Sequence, residues 1–146
     1  MTYEEIYSRS YMKKYDPNFY NDKDFAYETM REWMHEIVAL PYVRNAFSTI
    51  VFDDEIEEFT FTLVNSVDED SDNEFVKKLF SDGFVICWMR PQVDSVLNLA
   101  VVIGGKDEKK IQSNYKTTID RLDSLERKLK KYIRDYGYFN GLSRTE

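Results

Sequence analysis

The sequence predicts an all-α domain, a bundle of five to six helices with a kinked central helix and a long C-terminal one. Two observations carry this prediction. Gly and Pro together number only eight in 146 residues, too few for the many turns of a β-sandwich or barrel. Apolar residues recur every three or four positions over most of the chain, the period of a helix with one buried face. Length allows one domain, and 42% hydrophobic with 16% aromatic residues supplies a core, which excludes wholesale disorder.

Thr2 followed by Glu5 forms a capping box, each satisfying an amide of the other. The helix it opens carries Ile6, Tyr7, Tyr11 and Met12 and is expected to end near Tyr15, before the turn Asp16-Pro17-Asn18. Asp22 caps a second helix whose stripe is Phe25, Ala26, Thr29, Met30, Trp33, Ile37 and Val38. Pro41 biases Leu40 away from helix and stops it. A short turn then starts at Pro41, a residue favoured at the first helical position.

Residues 49–64 read two ways. Phe59-Thr60-Phe61-Thr62-Leu63 alternates like a strand. Ile56, Phe59 and Leu63 after Asp53-Asp54-Glu55 suit a helix with acids at its positive end. Helix is preferred, because no partner strand of similar quality stands elsewhere and a lone strand cannot complete its ladder.

A polar loop from Asp68 to Glu74 starts a helix at Asp72. Its broad face runs from Phe75 through Phe84, Cys87 and Trp88. Pro91 interrupts, Val93 to Ile103 resume the period, and Gly104-Gly105 terminate it. The last stripe, Ile111, Tyr115, Ile119, Leu122, Leu125, Leu129, Tyr132 and Tyr136, has spacings of 4, 4, 3, 3, 4, 3 and 4, averaging near the helical period. Such a helix packs lengthwise on its neighbour or reaches another subunit, and Gly137 and Gly141 are expected to end it. The chain thus divides into an α-helical domain over 1–135 and a C-terminal tail over 136–146.

Chemistry is scarce. One Cys and one His exclude a disulfide framework and multi-His or Cys-based metal motifs. The acids at 68, 70 and 72 mimic a calcium loop, but its Gly is Asn73 and its terminal Glu is Leu79. Gly104-Gly105-Lys106 lacks both the earlier Gly and the Ser/Thr of a phosphate loop. Cys87 sits in an apolar run and reads as a packed thiol, His35 as a surface residue. The expectation is a non-enzyme without cofactor or metal. The opening residues have no basic and apolar leader, and Ser95–Gly105, the longest uncharged stretch, is too short to span a bilayer.

The net charge of −7 splits unevenly. Residues 1–105 hold 9 basic and 20 acidic residues, and residues 106–146 hold 11 and 7. An acidic body with a basic arm suits docking on an acidic surface, or is ordinary variation between solvated helix faces. Lys128, Lys131 and Arg134 are candidate interaction residues, together with Tyr136, Tyr138 and Phe139. The basic group reads as stabilisation of a helix C-terminus, as a protein-docking patch, or as a nucleic-acid contact, in that order.

Four stretches together carry a family likeness: Asp72-Asn73-Glu74-Phe75-Val76, Pro91-Gln92-Val93-Asp94-Ser95-Val96-Leu97-Asn98, Gly104-Gly105-Lys106-Asp107-Glu108 and Arg134-Asp135-Tyr136-Gly137-Tyr138. Thr2-Tyr3-Glu4-Glu5-Ile6-Tyr7 and Phe52-Asp53-Asp54-Glu55 fit the same pattern. The chain resembles small virion proteins of tailed phages and prophages of low-GC Gram-positive and gut bacteria, most of all the head-completion, or head–tail connector, proteins of the neck. The resemblance implies an α-helical adaptor assembled in the host cytoplasm, located in the virion neck, and arranged as a homo-oligomeric ring of about a dozen copies. Its implied partners are the portal protein, which the tail over 136–146 would dock, and a downstream neck or tail protein. Double-stranded DNA would pass through the lumen without specific binding, and no membrane is involved. Ring contacts would bury Tyr3, Tyr7, Tyr20 and Phe139, aromatics expected to be partly exposed in a monomer. Asp68–Asn73 is less distinctly polar than the insertion loop such connectors often carry. Two other readings stand beside it: a small acidic regulator or DNA-mimic inhibitor of a host protein, and a stopper or tail-completion protein.

Overall fold

The computed structural model describes the backbone of residues 1–144 and the side chains of residues 1–136. Among the described residues the structure is about 70% helix, in six α-helices, with one small two-stranded sheet. The fold is broadly helical but not all-α. The elements are α1 (Tyr3–Tyr7), a 3-10 turn (Met12–Lys14), α2 (Lys23–Ala39), α3 (Pro41–Arg44), β1 (Phe47–Asp53), β2 (Glu58–Leu63), α4 (Glu69–Ile103), α5 (Gly105–Asn114) and α6 (Lys116–Arg144).

The capping box at Thr2 is present, with both hydrogen bonds made. The helix behind it ends at Tyr7, not near Tyr15. Asp22 caps α2 by accepting from the Phe25 amide, and Pro41 opens α3 after the extended Leu40. The buried face of α2 is Ala26, Met30, Met34 and Ile37. It lies on α4 at Gly83, where an added Cβ would stand 2.5 Å from Ile37 Cδ1.

Residues 47–63 form an antiparallel hairpin, which overturns the expected helix. Phe52 pairs with Phe59 and Ile50 with Phe61, and the register slips between Phe47 and Thr49. A two-stranded ribbon is marginal alone, and two hydrogen bonds and two ring contacts complete it. The Phe59 amide donates to the Met1 carbonyl at 2.8 Å and the Tyr3 amide to the Glu57 carbonyl at 2.9 Å. Phe52 and Phe59 also pack their rings against Phe80 of α4, at 6.4 and 5.9 Å between centroids.

Helix α4 begins earlier than expected, with Asp68 as N-cap, and runs unbroken through Pro91. Asp72, expected to open the helix, is instead buried in its first turn. Gly104 and Gly105, at φ +69° and +63°, reverse the chain. This left-handed pair is open to glycine and strained for other residues. The predicted single last helix is divided at Tyr115 into α5 and α6, and α6 runs through Gly137 and Gly141 to Arg144.

The core joins α1, α2, the hairpin and the first two-thirds of α4, closed by Leu122 and Leu129 of α6. Tyr3 and Tyr7 belong to it, at 1% and 4% exposure. They are core residues of one chain, not aromatics waiting for a ring contact, and Tyr20 is half-buried against the same core.

Candidate functional site

Among the described residues no group of His, Cys, Asp and Glu is placed to hold a metal ion. Cys87 is half-buried, and burial pushes its thiol up to about 12, so it is protonated and a poor nucleophile at neutral pH. His35 is exposed, and its Nε2 lies 3.1 Å from both oxygens of Asp54. The Tyr3 hydroxyl donates to the same carboxylate at 2.5 Å. That bond, followed by the His35 contact, holds the Asp54 carboxyl below its ordinary range. The cluster ties α1, α2 and the hairpin together.

The acidic loop before α4 resolves into structural roles. Asp68 accepts from the Ser71 amide at 2.7 Å, and Asp72 accepts from the Val67 amide at 3.0 Å, the Ser66 hydroxyl and the Tyr136 hydroxyl. Tyr136 also stacks on Phe75, 4.1 Å between centroids. A residue expected in a docking tail is therefore half-buried on the body. Tyr138 and Phe139 lie outside the residues whose side chains are described.

Lys128, Lys131 and Arg134 are exposed on α6. They precede Arg144 by ten residues or more, beyond the last turn where the helix dipole acts. Stabilisation of a helix end is thereby removed as their explanation. Between them Lys130 sits over the Tyr42 ring, 5.2 Å from its centroid.

Phe25, Val64 and Val67 are exposed singly on the body, and two further groups of exposed aliphatic side chains lie on the arm and at the hairpin turn. Leu97 of α4 and Ile119 of α6 still pack against the core; beyond them α4 continues beside α5, and in residues 94–121 only Ala100 is buried. At the tip of this arm Val101, Val102 and Ile103 stand 70%, 83% and 47% exposed, flanked by Lys106, Lys109 and Lys110. At the hairpin turn Ile56 is 62% exposed among Asp53, Glu55, Glu57 and Glu58, with Val51 on the outward face of β1. Branched aliphatic clusters ringed by charge are marks of protein docking. The arm tip falls within an uncharged run legible in the sequence; the hairpin patch is hidden there, because helix was expected. No helix of the described residues is long and apolar enough to cross a membrane.

No protein-family model, no curated protein and no solved structure matches this chain.

Proposed function

We propose that this chain is a structural assembly protein, a head–tail connector of a tailed phage that seats as a ring beneath the portal and extends the DNA channel toward the tail. The observation that carries the reading is the arm: a helical hairpin projecting from a well-packed body with branched aliphatic side chains left in solvent. A monomer gains nothing from exposed Val101 and Val102, whereas a docking partner removes them from water at about 25 cal/mol per Å². Of the four sequence stretches that carry the family likeness, two fall on the arm and two on the body at the other end of α4. They occupy the first turns of α4, the root of the arm, the glycine reversal at its tip, and the stretch of α6 that returns to Phe75. The net-acidic body supports passive passage of DNA, because it forms few phosphate ion pairs.

The docking segment of a connector tail would begin after Tyr136, since Tyr136 itself is engaged on Phe75 and Asp72. The test is co-expression with the portal protein followed by electron microscopy of particles. Density for this chain at the portal vertex is the expected result; its absence from the neck refutes the reading. Deleting residues 137–146 is expected to abolish portal docking while leaving the far-UV circular dichroism helical.

The hairpin supports a second reading. Five carboxylates in six residues, Asp53 to Glu58, suit an acidic regulator that mimics DNA phosphates. Displacement of DNA from a host DNA-binding protein by the purified chain would favour it over the connector.

A further inference from the structure

The two exposed patches are complementary to each other and neither is complementary to itself. The hairpin end carries five acids and no base between residues 53 and 58, and the arm end carries Lys106, Lys109, Lys110 and Lys116 against Asp107 and Glu108. Each presents branched aliphatic side chains: Val51 and Ile56 on the hairpin, Val101, Val102 and Ile103 on the arm. Two hairpin ends brought together would set like charges face to face, which destabilises a symmetric contact. Two arm tips, each with four lysines against two acids, would repel one another in the same sense but more weakly.

The patches cannot meet within one chain. The hairpin rests on Phe80, and Ile103 follows 23 residues later on the same continuous helix. That separation is about 34 Å along the axis. An attraction that one copy cannot satisfy internally is satisfied by the next copy. The result is a heterologous contact, which closes into a ring or propagates as a filament according to the rotation between copies.

We propose that the arm tip of one copy docks, head to tail, on the hairpin end of a second copy. This contact rests on the assembly reading above and specifies the surfaces of its self-association. Val102 and Ile56 are its central apolar residues, and the lysines and carboxylates around them set orientation and make the contact weaken as salt rises.

The experiment uses the full-length protein and two single variants, V102D and I56D. Both positions are exposed, so the fold is expected to persist, as circular dichroism would verify. Sedimentation velocity at concentrations up to about 100 μM covers the range in which a stable interface is populated. Wild type is expected to assemble beyond the dimer, and each variant alone is expected to sediment as a 17.5 kDa monomer. An equimolar mixture is expected to stop at a dimer, because one productive arm meets one productive hairpin and the other two ends are dead. If either variant misfolds, K109E/K110E or E55K/E57K replaces it in the same scheme.

A wild type that stays monomeric overturns the proposal. So does a variant that assembles alone as wild type does, which for I56D would mean that arm tips pair with each other, or a mixture that remains monomeric. Density at the portal vertex together with a monomeric wild type removes this contact and leaves the connector reading intact. Head-to-tail assembly of a chain absent from the neck does the reverse.

Discussion

Tyr136 shows how a single side chain settles which residues belong to the body. Its ring stacks on Phe75 and its hydroxyl reaches buried Asp72 at 2.5 Å. Replacing it with Phe keeps the stack and removes one donor from a charged acceptor that retains the Ser66 and Val67 bonds. Y136F is expected to lower unfolding free energy by about 1–2 kcal/mol, read from urea denaturation. Asp54 gives a pH signature of known sign. Its carboxyl is held below the ordinary range mainly by the Tyr3 hydroxyl. The stability it adds is present above the usual carboxylate range and is lost as pH falls through its folded value. D54N is expected to flatten the decline in urea midpoint below about pH 5. The change should stay under about 1 kcal/mol, because the carboxylate faces solvent.

Among elements, the caps at Thr2 and Asp22 and the break at Pro41 were readable, whereas the end of α1, the start of α4, the division at Tyr115 and the hairpin were not. Thr2, Asp22 and Pro41 act through their immediate neighbours, so their residue types announce the cap or the break. The hairpin depends on pairing that is not local. Its turn carries no glycine: the left-handed position is taken by Glu57 at φ +53°, so the usual Asn-Gly or Asp-Gly signal is missing. Strand β1 is disguised as well, since its register slips after Phe47 and its burial does not alternate cleanly. The third element beside β2 is Met1–Thr2, which no strand pattern would reveal. Of the candidate site, the uncharged run near Ile103 was visible. The inward turn of Tyr136 was not, because it depends on Asp72 in the first turn of α4, 64 residues away. The α2–α4 crossing offers a direct test. G83A gains helix propensity of about 1 kcal/mol, but its Cβ would lie 2.5 Å and 2.9 Å from two atoms of fully buried Ile37. Overpacking is expected to win, with a net loss of about 1–2 kcal/mol. The added change I37V should recover part of the loss in thermal denaturation.

At the scale of the whole molecule, the body and the arm differ in how much holds them. From Phe75 to Val93 α4 is packed by α2, the hairpin and α6, whereas residues 94–121 bury only Ala100. Backbone amides of the arm are expected to exchange with deuterium well before those of residues 75–90, because local opening there exposes little apolar surface. On assembly, protection should rise at residues 99–103 and 53–58 and stay unchanged at the α2–α4 crossing; hydrogen-exchange mass spectrometry reads both. The unbroken passage of α4 through Pro91 also has a mechanical side. Proline has no amide to return to the carbonyl of Cys87, so the helix is softest where it leaves the body. A tilt of about 10° at that point swings Ile103, twelve residues on, by about 3 Å. The chain is in effect a rigid block with a compliant spoke. In the proposed assembly such a spoke would let copies with identical bodies meet neighbours at slightly different angles, so that one sequence would tolerate variation in curvature.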